Sequence, residues 1–238
     1  MSLNGDSMNK ILLTFSILIS FSFGQSGGQS FEKYLENASI MIGMNQSFYG
    51  SDWNDVTEDL EDGGADVDQN PFRKLSFTLM NQYKHGLLGG VKYLSYGFDY
   101  DFDISFDDYY VGGFASSSKL ELKFLKLFLT YPLNNGLYLG VEGGYFMEGE
   151  SKIKIQNGAN ETNDIDRDMW TDSDFSEFDY GLLGQFYYNI NENLLATVEG
   201  YYGLSKFSED NDEEMTGIPN VFHYVNLGIA YKFGGKSK

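Results

Sequence analysis

Ser176–Lys206 reads SEFDYGLLGQFYYNINENLLATVEGYYGLSK. Phe178, Tyr180, Leu182, Phe186, Tyr188 and Ile190 fall on one parity, and Glu177, Asp179, Gln185 and Asn189 on the other. After Asn191-Glu192, the residues Leu194, Ala196, Val198, Tyr202 and Leu204 alternate with Thr197, Glu199 and Ser205. A period of two marks a strand whose successive side chains point to opposite faces. Two such runs joined by a short polar turn predict an antiparallel hairpin. Each run is as long as the roughly 9–11 residues that a tilted membrane strand needs.

Six further segments share the pattern. Ala38–Tyr49 sets Ile40, Ile42, Met44 and Phe48 against Asn45 and Ser47, and Phe72–Gln82 sets Leu75, Phe77 and Leu79 against Ser76 and Thr78. Gly86–Gly97 sets Leu87, Val91 and Tyr93 against Lys92. Leu137–Met147 sets Leu137, Leu139, Val141, Tyr145 and Met147 against Tyr138, Glu142 and Phe146. Val221–Phe233 sets Val225, Leu227, Ile229, Tyr231 and Phe233 against Asn226 and Lys232. In Ser118–Tyr131 the residues Leu120, Leu122 and Phe124 oppose Glu121 and Lys123, and the apolar phase then shifts to Leu125, Leu127 and Leu129 around Lys126. A β-bulge near Phe124-Leu125 is expected to restore one apolar face.

Tight turns occur at Tyr83-Lys84-His85, at residues 132–136 and at Asn191-Glu192. The other connections, near residues 50–71, 98–117, 148–175 and 207–220, are long. Short turns at one end and long loops at the other predict an all-β, eight-stranded antiparallel up-and-down transmembrane β-barrel, with the long loops outside the cell. With 18 Tyr, 20 Phe and 28 Gly against 3 Pro, the composition suits strands and tight bends.

Upstream, Lys10 precedes the apolar run Ile11–Phe23, and Ser22-Phe23-Gly24 ends in small residues. That is the layout of a secretory signal peptide, and the run is short for a membrane helix. The expected division is a signal peptide over residues 1–24, a periplasmic lead-in over 25–37, the barrel over 38–233 and a tail over 234–238. Whether Met1 or Met8 is the natural start stays open.

The formal charge of −19 disfavours binding to nucleic acid phosphates. Most of the 35 acidic residues fall in the four long loops, so a negative field is expected over the outer mouth. Asp66-Val-Asp68, Asp164-Ile-Asp166-Arg-Asp168 and Asp210-Asn-Asp212 imitate the start of a calcium loop. Their sixth positions are Pro71, Met169 and Met215 instead of the Gly that an EF-hand requires. Weak divalent-cation capture is therefore the most these loops promise.

The chain has no Cys, and its two His residues are His85 and His223. Neither lies in a recognisable catalytic or metal-binding pattern, so no enzyme activity and no cofactor are expected. Lys92, Lys123, Glu142, Glu199 and Asn226 all take the polar parity at similar heights above the short-turn end. They are expected to form a charge network that plugs the lumen, since eight strands leave little room inside.

The closing strand Val225-Asn-Leu-Gly-Ile-Ala-Tyr231-Lys-Phe233 and the run Gly136-Leu-Tyr-Leu-Gly-Val-Glu-Gly-Gly-Tyr145 resemble those of the outer-membrane β-barrel domain family, with its OmpA/OmpX-type and PorT-type barrels. The resemblance covers roughly residues 38–233. It implies outer-membrane lipid and the barrel-assembly machinery as partners, with Tyr231 and Phe233 as the assembly signal. The expected role is structural or adhesive. A narrow channel for small solutes or cations, a lipid-acting rim enzyme and a soluble calycin-like barrel are the alternatives.

Overall fold

The computed structural model describes residues 37–49, 65–104, 115–155, 160–165, 176–206 and 221–233. The expected signal peptide and tail, and all but the last residue of the lead-in, lie outside them. The strands are β1 (Ala38–Tyr49), β2 (Ala65–Asn70), β3 (Arg73–Gln82), β4 (Leu88–Ile104), β5 (Ala115–Asn134), β6 (Leu137–Ile155), β7 (Asn160–Ile165), β8 (Phe178–Asn189), β9 (Leu194–Gly203) and β10 (Phe222–Lys232). Eight of them form the wall, in the cyclic order β1-β3-β4-β5-β6-β8-β9-β10. The ladder Ile42↔Ile229 between β1 and β10 returns the last strand to the first. Every pairing is antiparallel. The result is the closed up-and-down barrel that the alternation predicts.

At the short-turn end, β3 and β4 are joined through a 3₁₀ turn at Lys84–Gly86. β5 and β6 are joined at Asn135-Gly136, where Gly136 has φ 82°. A Cβ at Gly136 would also stand 2.3 Å from the Tyr187 carbonyl oxygen, so glycine is needed there twice over.

The wall is apolar outside and polar inside. Leu139, Val141, Leu182, Leu227 and Ile229 are at least half exposed on the outer face. Asn45, Ser76, Lys92, Lys126, Asp179, Glu199 and Asn226 are wholly buried in the lumen. Tyr131, Tyr188, Tyr231 and Phe233 ring the short-turn end on the outside, and Tyr145, Tyr180 and Tyr202 stand toward the other end. This inverts a water-soluble barrel and is the polarity that hydrocarbon demands, with aromatic girdles at both interfaces. It excludes the calycin-like alternative.

Two sequence expectations are corrected. First, β5 keeps one phase from Lys119 to Tyr131. Leu120, Leu122, Phe124, Lys126, Phe128 and Thr130 are all buried, while Leu127, Leu129 and Tyr131 are exposed. The bulge lies on β6 instead: Lys123 pairs with Glu148 and Phe124 with Phe146, leaving Met147 as the extra residue. Leu120, Leu122 and Phe124 therefore face the lumen near the outer mouth, where aromatic packing replaces the polar interior.

Second, several segments read as loops continue as strands. β4 runs on through Asp99–Ile104, β6 through residues 148–155, and β2 and β7 pair with these extensions. The signal is present in Phe98-Asp-Tyr-Asp-Phe-Asp103, which alternates strictly. Aspartate's low strand propensity hides it.

Candidate functional site in the barrel lumen

Inward parity brings one charged side chain from each of β4, β5, β6, β8 and β9 to one place. Lys92 donates to Glu142 at 2.7 Å and lies 3.0 Å from Glu199. Lys126 lies 3.3 Å from the same Glu142 and forms an ion pair with Asp179. All five side chains are shielded from water. Two ammonium groups thus face three carboxylates, and the surplus negative charge is met by neutral donors.

Glu199 accepts from Gln185 Nε2 at 2.6 Å and from Asn226 Nδ2 at 2.7 Å. Glu142 accepts from the Tyr224 hydroxyl at 2.8 Å. Asp179 accepts from Tyr201 at 2.9 Å, Tyr96 at 3.0 Å and Ser205 at 2.6 Å. A buried ion is tolerable when its remaining lone pairs are filled in this way. The web extends through Asn226 to Ser76 at 3.0 Å and through Gln185 to Thr130 at 2.9 Å. Small residues make room for it: a Cβ on Gly43 would stand 2.4 Å from Asn226 Oδ1, and one on Gly144 2.6 Å from Lys126 Cγ.

Aromatic rings close the space on the outer side. Tyr96 stacks on Phe222 at 5.3 Å, Tyr201 on Tyr224 at 5.1 Å, and Phe124 meets Phe146 edge-on at 5.7 Å. Lys126 Nζ sits 3.7 Å from the Tyr201 ring centroid and 4.7 Å from that of Tyr96. A desolvated cation held over ring faces gains about 2 kcal/mol. On the short-turn side the lumen is packed by Met41, Met80, Phe128, Tyr138, Tyr187, Leu195 and Ala230. The polar web is sandwiched between two apolar layers.

Of the residues expected in the network, Lys92, Glu142, Glu199 and Asn226 meet in this web. Lys123 does not, because the unbroken phase of β5 turns it to the outer wall, where it donates to Glu148 at 2.8 Å. Lys126 takes the inward place. Asp179, Tyr96, Tyr201, Tyr224 and Gln185 complete the site. Asp179 already shares the polar parity in the sequence, but nothing local links it to residues on four other strands.

The outer wall beyond the apolar belt carries a ladder of ion pairs, Lys74–Glu121, Lys119–Asp99, Lys123–Glu148 and Lys152–Glu150. Lys152 holds the Glu150 carboxyl below its usual range by hydrogen bonding and charge. Burial pulls the Lys123 ammonium down, but its bond and charge contact with Glu148 outweigh this and leave it above its ordinary value. Asp66 and Asp68 lie in β2 and Asp164 in β7. Asp166, Asp168, Asp210 and Asp212 lie outside the described residues. Among the described residues, no group of three or more His, Asp or Glu side chains is gathered to hold a metal.

His223, at the outer rim, accepts from the Gly203 N–H through Nδ1 at 3.1 Å and stacks on Tyr202 at 4.5 Å. His85 is held in the 3₁₀ turn with φ 63°. Tyr231 and Phe233 meet edge-on at 5.5 Å at the short-turn end of the outer face.

The inverted polarity, the closure and the even strand number together decide the architecture. The fold is that of a small outer-membrane β-barrel. Among solved structures, the chain is similar to the attachment invasion locus protein Ail of Yersinia pestis, solved with the heparin analogue sucrose octasulfate. Identity there is 14% and the TM-score 0.43, over 82% of this chain and 97% of that one. It is similar to Neisserial surface protein A at 10% identity and a TM-score of 0.39, over 82% and 96% of the two chains. It is also similar to the outer membrane protein OprG of Pseudomonas aeruginosa at 14% identity and a TM-score of 0.32, over 82% and 95%. No family model matches the chain, and no similar curated protein is found. None of these likenesses gives a role to a residue of the barrel described above.

Proposed function

We propose that this chain is a non-enzymatic bacterial outer-membrane protein with a sealed lumen, exported by its signal peptide, whose work is adhesive and is done at the outer rim. One observation carries the reading: Lys92, Lys126, Glu142, Asp179 and Glu199 form a buried web with apolar packing on both sides. A pore needs water beside its charges, and these five side chains are buried. The apolar belt supports insertion in lipid, and the exposed aromatic pair Tyr231 and Phe233 on the closing strand supports reading them as the assembly signal. Among the described residues, the acidic extensions of β2 and β4 are the surface at the outer rim that supports this role.

The test has two arms. The mature chain should partition with outer membranes and migrate anomalously on gels unless heated, and soluble recovery would overturn the membrane reading. Reconstituted in planar bilayers it should pass no steady current. Stable ionic currents would replace the sealed barrel by the channel alternative.

A further inference from the structure

Lys126, Gly144 and Asp179 stand in one row across β5, β6 and β8, through the register partners Lys126↔Gly144 and Gly144↔Asp179. A side chain on the middle strand would part the outer two. Gly144 has none, and a Cβ there would stand 2.6 Å from Lys126 Cγ. The Lys126 side chain therefore crosses β6 and brings Nζ against the Asp179 carboxyl, with both side chains shielded from water.

The two lysines of the web are held differently. Lys92 directs hydrogen bonds to Glu142 and to the Tyr224 hydroxyl, each at 2.7 Å. Lys126 Nζ touches the Asp179 carboxylate, yet among the described residues it has no acceptor in hydrogen-bond geometry. The ring centroids of Tyr201, Tyr96 and Tyr224 lie 3.7, 4.7 and 5.8 Å from it. Asp179 Oδ1 accepts from Tyr201 at 2.9 Å and from Ser205 at 2.6 Å, and Oδ2 accepts from Tyr96 at 3.0 Å. Glu142 Oε1 stands 3.3 Å from the same Nζ. An amine thus faces a carboxyl that hydroxyl donors polarise, with a second carboxylate beside it to carry protons. Groups held in contact in this way react as if at very high concentration.

We propose that Lys126 and Asp179 condense into an intramolecular isopeptide bond once the barrel has closed. One proton passes from the Lys126 ammonium to Asp179 Oδ2, discharging both groups. The Nζ lone pair then attacks Cγ, and the carbonyl π electrons move to Oδ1, where Tyr201 and Ser205 donate to the oxyanion. Glu142 takes a second proton from Nζ and delivers it to Oδ2. The Cγ–Oδ2 bond breaks, the Oδ1 carbonyl reforms and water leaves. Both protons added to the departing oxygen come from the ammonium, so the step consumes no oxidant and no activating group. A neutral amide replaces a buried ion pair and ties β5 to β8 across β6. A chain without Cys has no disulfide to do this. Lys92, held in directed hydrogen bonds, stays an ammonium.

The experiment measures the intact mass of the folded full-length chain and maps the link by proteolysis. The mass should fall short of the sequence between the observed termini by one water. Trypsin should fail to cut after Lys126, and a branched peptide should join Lys126 to Asp179. Chain kept in urea from synthesis onward should retain its full mass. Glu142→Gln leaves both reacting groups in place and should slow linking about a hundredfold or more. Lys126→Met and Asp179→Ala should abolish it. A full mass in folded wild-type chain, a link from Lys126 to Glu142, or a loss of water that persists in Lys126→Met would each overturn the proposal. Linking of Glu142→Gln at the wild-type rate would overturn the step as written. Should that variant fail to fold, the mass and the branched peptide of the wild type still decide. The link depends on the lumen alone, so its failure leaves the adhesive reading of the rim untouched.

Discussion

Lys92 and Lys126 grip the same carboxylate from adjacent strands, Glu142 lying 2.7 Å from one ammonium and 3.3 Å from the other. The two lysines are register partners on β4 and β5. Like charges in that position repel unless an anion stands between them. Glu142, arriving from β6, is that anion.

Lys92→Met should therefore leave Glu142 and Glu199 buried without their shared cation, at a cost of about 3–5 kcal/mol. Combining it with Glu142→Gln should cost less than the sum of the two single changes, by at least about 0.5 kcal/mol. Urea unfolding in detergent, followed by gel mobility, measures both. Strict additivity would show that the pair is uncoupled.

Lys123→Met provides the contrast. Its partner Glu148 is half exposed, and exposed pairs contribute about 0–1 kcal/mol. The same unfolding assay should find little change. A loss equal to that of Lys92→Met would place Lys123 back in the lumen.

Three carboxylates face two ammonium groups, so Asp179→Asn leaves two of each. That change should cost less than Lys126→Met, which leaves the Asp179 carboxylate without a cation and Glu142 with Lys92 alone. Comparing the urea midpoints of the two variants tests the ordering, and the reverse order would mean that the hydroxyl donors do not hold the surplus.

Gly144 and Gly200 should respond oppositely to alanine. A Cβ at Gly144 would stand 2.3 Å from the Leu125 carbonyl oxygen, whereas one at Gly200 meets nothing within 4 Å. Gly144→Ala should cost about 1–3 kcal/mol through overpacking. Gly200→Ala should fall within about 0.5 kcal/mol of wild type. Similar losses at both sites would contradict the packing described.

Leu227 points from β10 into the apolar belt. Leu227→Arg should destabilise the chain folded in lipid bilayers by about 2–4 kcal/mol if the position is near the midplane. Unchanged stability would mean that this face does not meet lipid.

The sequence by itself determined the number of wall strands, their chain order and the inside-out polarity, because a period of two in Ser176–Lys206 and its fellows is a local property. It also placed Lys92, Glu142, Glu199 and Asn226 on the inner face, since each sits among clear apolar neighbours. Only the tertiary structure decided β5. Leucines occupy both of its faces, inward near the mouth and outward in the belt, so apolarity could not separate Lys123 from Lys126. The choice was made by the ladders to β4 and β6, which keep β5 in one phase and put the bulge at Met147. Strand tilt then gathered Asp179, Tyr201 and Tyr224 around Lys126 from distant parts of the chain. Such a meeting depends on closure and shear, which no single strand encodes.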